Sequence, residues 1–577
     1  MGCLLSLFLV TPFATRACDY RPPSSDDVTI AFTEYPSATF EDAKYPNAPY
    51  KDTGGSETRI RGGDAQWDWI RIEIVYDRTF WLLNQEQQKT LGGLIKTARD
   101  YFESTIKVKR LSSLQLVPPV AGSVNICPQS FTKMKANELD QWEATIKHEL
   151  IHAFVFSNSL YQRFRVPFRG AKNAAHKSFI VEQIERLDWE SAKGKGSHSV
   201  LMIVTPNVKR EAQNYFNCSS LEGAELESQG SSGTAGSHWE KRVLENEAMT
   251  GVTTQVFAIS RITLALFEDS GWYKVNYDFG KAENMTFGKG LGCSFAKQSC
   301  MTWIKTHSKD PYPFCRVYGD MRCTDTRKAK VRCNLDTKKK NVESKFNYNA
   351  NNLYVDAKGN PVHGYGSIEL ADFCPYYRVY NDISREDSDT RCTLPLNMNY
   401  INYSLEVFSP TARCIELDGG INVRNTYGST TWTHAAGCYE LPNESVFCEN
   451  QATSATPANP ATSATPATSA TNAGNPWSFS KGTLCDKNLL FIKTQKSKFY
   501  PCYRQGQLIH VKKRLHGIGT VSTRIICPKC AEICGEQHCA PERSVAKKIG
   551  DECQKSNVNS AVVFSALISI LLCSNIT

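Results

Sequence analysis

Residues 145–157 read TIKHELIHAFVFS, and any fold proposed for this chain has to account for them. Trp142, Ile146, Leu150, Ala153 and Phe154 recur every three or four residues, which makes one apolar face of a helix. His148 and His152 stand one turn apart on a different face, so both imidazoles can reach a single ion. Glu149 flanks the pair, and a carboxylate there can take a proton from water and later pass it to a leaving amine. Two histidines and a glutamate also fall together by chance on solvated helices. A third ligand separates the two readings, because a catalytic zinc takes three protein ligands and keeps one position open.

Eighty-six residues beyond His152 lies His238, within GTAGSHWEKRVLENEAMTG, residues 233–251. His238 follows a glycine-rich approach (Gly230, Gly233, Gly236), and Met249 precedes the turn signal Thr250-Gly251. Taken singly, His238 reads as a surface histidine and Met249 as a core methionine. Their spacing changes those odds.

With HELIHAFVFS, GSHWEKRVLENEAMTG, TLALFEDSGWYKVNY, GLGCSFAKQSC, YGSIELADFCPYY and CPKCAEIC in this order, the chain resembles the leishmanolysin family of metzincin zinc endopeptidases over most of residues 69–540. The resemblance implies one Zn2+ per chain held by His148, His152 and His238, with Glu149 as general base and Met249 in the turn beneath the metal. It implies protein or peptide substrates, secretion with a removable pro-segment, and often a glycolipid (GPI) anchor. The rival reading is a catalytically weak or inactive surface glycoprotein that uses the same scaffold for adhesion or interaction. Two departures from the family pattern favour the rival. Val155 stands where the family has a glycine three positions after the second histidine, and a β-branched residue at positive φ is strained by roughly 1–2 kcal/mol or more, so either the turn differs or the site is distorted. The segment VKRLSSLQLVPPVA (108–121) is also far shorter than its family counterpart, so the sheet beside the cleft is expected to be truncated.

Twenty-two cysteines, fifteen of them strictly between Cys293 and Cys553, read as a disulfide framework formed in an oxidising compartment, which argues against a cytosolic zinc protein. From Cys127 to Cys553 their number is odd, nineteen, so one lacks a partner unless Cys18 supplies it. The cluster CPKCAEICGEQHC (527–539) could hold zinc, but disulfides are the expected state there. Asn217, Asn284, Asn402 and Asn443 head glycosylation sequons. The net charge of +9 is dispersed, with no basic stripe interleaved with aromatics, so nucleic acid is not an expected partner.

The expected fold class is α+β: a metzincin-like core with a mixed sheet and an active-site helix, then a loop-rich, disulfide-stapled C-terminal domain. Residues 1–17 read as a signal peptide, although Gly2 and Ser6 also fit myristoylation. Residues 18–68 read as a pro-segment or N-terminal arm. A first catalytic subdomain covers 69–157, with a strand in WIRIEIVYD (69–77) and a helix over 88–105. A second covers 158–287, with Ser260 as a helix N-cap and Gly271 as its stop. The cysteine-rich domain spans 288–555, interrupted by an Ala/Thr/Ser/Pro-rich insertion at 452–474. The apolar tail within 556–577 is short against the ~20 residues of a membrane helix, so a GPI signal is favoured over a short membrane anchor. The expected location is extracellular or at the cell surface.

Overall fold

The structure is a computed structural model that describes residues 67–533, apart from 110–123, 165–179, 442–489 and several shorter stretches. The leader, nearly all of the N-terminal arm, most of segment 108–121, the insertion, the apolar tail, Asn284, Asn402 and Asn443 lie outside the described residues. The chain forms two compact units. One comprises the described residues up to Gly319 together with Cys333–Tyr377; the other comprises Asp320–Arg332 and the described residues from Arg378 onward.

In chain order the main elements of the first unit are β1 (Trp67–Trp69), α1 (Gln85–Glu103), β2 (Ile106–Lys109), α2 (Leu139–Phe154), β3 (Val181–Ser191), β4 (Gly194–Ile203), α3 (Pro206–Phe216), β5 (Ala224–Leu226), α4 (Arg261–Asp269) and β6 (Tyr273–Val275). Helix α1 starts where Asn84 and Gln87 cap each other reciprocally, at 2.9 and 3.1 Å. Its apolar face is buried at Leu91, Ala98 and Phe102. Leu91 and Ala98 share a core with Phe131 and with Ile146 of α2, and Phe102 meets Phe154 edge-on at 5.2 Å. Each large side chain buried there contributes about 1.5–3 kcal/mol.

The strand expected over residues 69–77 is a correction: pairing covers only Trp67–Trp69, against Lys107–Lys109 of β2. The partner runs out. Ile70 still donates to Ile106, but before Thr105 the neighbouring chain is helix α1, and the Ile72 amide turns instead to the Glu103 carboxylate at 2.8 Å. Strands β1, β2 and β6 make a three-stranded antiparallel sheet.

The hairpin β3–β4, extended by β5, was not anticipated from sequence. Helix α4 was: Ser260 Oγ accepts from Thr263 N, and Gly271 takes φ 72° where the chain turns into β6. Asp269, at the end of α4, caps α3 by accepting from the amides of Asn207 and Val208. Asn217 closes α3 in the left-handed conformation and is exposed.

His198 of β4 is packed on Trp189, ring centroids 4.3 Å apart, and beside Phe346. Burial, then the positive charges of Arg242, Lys345 and Arg186, push its pKa down to about 3. The folded state therefore refuses a proton that the unfolded chain accepts near pH ~6.5, so stability is full above that pH and falls as pH drops towards about 3. In that window His198→Phe should flatten the decline by about 1.4 kcal/mol per pH unit. Denaturant melts of both proteins at pH 7, 6, 5 and 4 measure this, and parallel curves would show that His198 is not the responsible group.

The second unit contains, beyond its loops, a seven-stranded antiparallel sheet. Its strands are β7 (Ala412–Asn425), β8 (Gly428–Trp432), β9 (Ala436–Glu440), β10 (Leu490–Lys493), β11 (Phe499–Cys502), β12 (Leu508–Leu515) and β13 (Gly519–Ile526). They run in the order β11-β10-β9-β7-β13-β12, with β8 paired to β7. Disulfides Cys323–Cys414, Cys392–Cys438 and Cys502–Cys527 staple this unit. Cys218–Cys293, Cys300–Cys374 and Cys315–Cys333 staple the first. Such bonds place the chain in an oxidising, extracellular setting. Cys527 is thus a disulfide residue, while Cys530, Cys534 and Cys539 lie outside the described residues. No helix among the described residues is long and apolar enough to cross a membrane.

Candidate metal centre

Helix α2 carries His148 and His152, both buried, into the first unit. Its depth is supported by Lys147, which is buried through its pairing with Glu143 at 2.7 Å and its position over the Tyr101 ring. The helix ends at Val155 without the positive φ that a glycine there would suggest. That residue has φ −153° and ψ −35°, and it is fully buried. The amides of Val155 and Phe156 both reach back to the Ile151 carbonyl, and this closure aims the Phe156 carbonyl at His152. Of the two outcomes left open by the missing glycine, a different turn or a distorted site, the structure has the different turn: no positive φ is needed at this position.

His238 arrives from the other side. Gly236, at φ 73°, donates to the Glu227 carbonyl, and the Glu227 amide donates to the His238 carbonyl, so the segment lies along the end of β5. Gly251 passes close under the ring: a Cβ there would meet Thr234 Cγ2 at 2.6 Å and Leu370 Cδ1 at 2.9 Å. A side chain there would have to displace both.

The structure brings the three histidines together. Their Nε2 atoms are 3.0 Å (His148–His152), 3.2 Å (His148–His238) and 3.2 Å (His152–His238) apart. Each Nδ1 faces a backbone carbonyl: Ala248 at 2.7 Å, Phe156 at 2.8 Å and Thr234 at 3.0 Å. A carbonyl can only accept, so each Nδ1 carries the ring proton and each neutral ring turns an unprotonated Nε2 to the centre. Burial lowers all three pKa values, helped at His152 by its two histidine neighbours, and His238 falls to about 3. Three lone pairs converging in a buried space repel one another unless a cation lies between them. Ligands ~2.1 Å from a tetrahedral zinc would stand about 3.4 Å apart, close to the spacing observed. The donor set fits zinc. Among the described residues this is the one cluster of His, Cys, Asp or Glu arranged to hold a metal.

Glu149 follows His148 on the same helix and is half-buried. Met249 is fully buried, and its carbonyl accepts from the Trp239 amide at 2.9 Å, which ties the methionine turn to the residue after His238. The family model for leishmanolysin, peptidase M8, matches residues 112–455. The chain belongs to the leishmanolysin family. Within that family it is 32% identical over 465 residues to a leishmanolysin-like peptidase of Caenorhabditis briggsae, covering 75% of this chain and 63% of the relative. It is 36% identical over 396 residues to the leishmanolysin-like peptidase of Drosophila melanogaster, covering 63% and 56%. It is 27% identical over 312 residues to leishmanolysin of Leishmania chagasi, covering 54% and 44%. The chain thus spans less than two thirds of the length of these relatives.

Several supports of this leishmanolysin-family site left no mark in the sequence reading. Glu247 is fully buried two residues before Met249. Its carboxylate accepts from the amides of Met249 and Ser260 and from the hydroxyls of Ser260 and Thr263. Thr263 in turn accepts from the Trp239 indole at 2.8 Å. Arg242 is clamped by Glu225 at 2.7 Å and Asp372 at 3.0 Å. Asp372 lies 130 positions further along the chain, and the three carbonyls holding the imidazoles have no side-chain signature at all.

Proposed function

We propose that this chain is a zinc-dependent endopeptidase that hydrolyses peptide bonds in proteins. The observation that supports this best is the set of three buried imidazoles, each fixed through Nδ1 on a carbonyl with Nε2 turned to a common centre. His148, His152 and His238 would hold the zinc. When bound, zinc supplies Lewis acidity: it polarises a substrate carbonyl and lowers the pKa of water towards neutrality. Glu149 takes the proton from the attacking water and returns it to the leaving amine. Met249 underlies the site, with its turn anchored to Trp239 and, through Glu247, to α4. We further propose secretion, N-glycosylation at Asn217, and attachment to the cell surface through the C-terminal tail. The disulfides and the exposure of Asn217 support the first two.

The test is cleavage of a quenched peptide by the secreted protein, with and without chelator, beside metal analysis. The parent should carry one zinc and lose activity on chelation. His238→Ala should carry close to none after desalting and should no longer gain melting temperature on zinc addition. Cleavage that survives complete zinc removal would defeat the proposal.

A further inference from the structure

The seven-stranded sheet of the second unit has two very different faces. One packs Ile421, Val423, Ile509, Val511, Val521 and Ile525 into a core. The other is turned to solvent, and alternation along β12 places His510, Lys512 and Arg514 there, all exposed. Strand register extends the pattern sideways. Arg524 lies beside His510, Ser522 beside Lys512 and Thr520 beside Arg514. On the next strand Asn422 lies beside Ser522 and Arg424 beside Thr520, followed by Thr431 and Ser429 of β8. Residues 420–431 and 508–524 contain no Asp or Glu. The carboxylates that β7 brings towards this face are already engaged: Asp418 pairs with Arg524 at 3.1 Å, and Glu416 pairs with Arg327. Among the described residues no carboxylate pairs with Lys512, Arg514 or Arg424.

The face is therefore a lattice of cations separated by short hydroxyl and amide side chains. Neighbours along a strand are about 6.7 Å apart and adjacent strands about 4.8 Å apart. Such a spaced array of cations matches a chain of anions. Guanidinium forks and ammonium groups recognise sulfate oxygens by charge-assisted hydrogen bonds, and Ser, Thr and Asn can bond the hydroxyls between them. At the β7–β8 tip, close to Arg424, Tyr427 is 97% exposed and offers a ring on which a sugar can stack. The disulfide-forming compartment disfavours nucleic acid. A lipid bilayer would want an apolar rim, whereas the residues between the cations are Ser522, Thr520, Asn422, Ser429 and Thr431. We propose that the solvent face of β7, β8, β12 and β13, carrying Arg424, Lys512, Arg514 and Arg524, binds a sulfated polysaccharide. The surface belongs to the second unit and would hold the protein on polysaccharide-coated surfaces.

The experiment uses the full chain and immobilised heparin as the probe. The triple variant Arg424→Gln, Lys512→Gln, Arg514→Gln should bind about tenfold or more weakly near physiological salt, with a shallower dependence of log affinity on log salt. A control variant, Lys193→Gln, Lys195→Gln, Lys209→Gln, removes the same charge from exposed positions of the first unit and should bind as the parent does. Unchanged thermal melts and peptidase activity in both variants would show that neither is misfolded. Equal losses in the two variants would mean non-specific attraction by net charge and would overturn the proposal. So would parent-like binding by the sheet variant, undiminished binding to desulfated heparin, or a preference for phosphatidylserine vesicles over heparin.

Discussion

Glu149→Gln is expected to bind zinc as the parent does and to cleave peptide about 10²- to 10⁴-fold more slowly. The amide keeps the shape of the side chain but cannot take a proton from water. It also touches none of the three carbonyl contacts that fix the imidazoles, so the metal site should survive intact. Zinc content and turnover must be measured on the same preparation. Loss concentrated in kcat, with little change in KM, is the signature of an interaction made in the transition state. A variant that keeps more than about a tenth of parental turnover at full zinc occupancy would remove Glu149 from the role of general base. The same preparation of the parent protein also addresses the short segment after β2. Stoichiometric zinc with robust turnover of a long peptide would show that the truncation expected from residues 108–121 does not disable catalysis.

Glu247→Ala should destabilise the protein by on the order of 3–5 kcal/mol and weaken its hold on zinc. The substitution leaves two amides and two hydroxyls, from Met249, Ser260 and Thr263, facing a buried space with no acceptor. Each buried unsatisfied donor costs about 1–3 kcal/mol, partly offset because burial itself disfavours the carboxylate and pushes its pKa up. Glu247→Gln should recover most of the loss, since one oxygen can still serve Ser260 and Thr263 while the amide nitrogen opposes the Met249 amide. Denaturant melts of the zinc-free proteins give the stability terms, and competition with a chelator gives the zinc affinity. If Glu247→Ala lies within about 1 kcal/mol of the parent and binds zinc equally well, the carboxylate does not hold the methionine turn.

The parts of the site that were legible in sequence share a local cause. His148 and His152 are four residues apart on a helix whose apolar repeat is visible, and Ser260 and Gly271 bracket α4 with ordinary start and stop chemistry. His238 was legible because a family pattern links it to the pair across 86 residues. Local reasoning misled where a partner was needed. The alternation from Trp69 to Asp77 looks like a strand, yet pairing stops at Trp69 because the neighbouring chain becomes helix α1. At Val155 the missing glycine left open a different turn or a distorted site, and only the structure shows the former, with the helix closed on Ile151 at negative φ.

By itself, then, the sequence determined the composition of the metal centre, the helix that presents two of its ligands and the oxidising compartment in which the cysteines pair. These depend on side-chain identity and on spacings of a few residues. Tertiary structure alone decided how the imidazoles are held, because their partners are the carbonyls of Ala248, Phe156 and Thr234, and every residue has a carbonyl. It alone joined Trp239, Thr263, Glu247 and Met249 into one buried network. It also assembled the cationic face of the second unit from strands about a hundred residues apart, through backbone pairing that any side chains of suitable alternation could adopt.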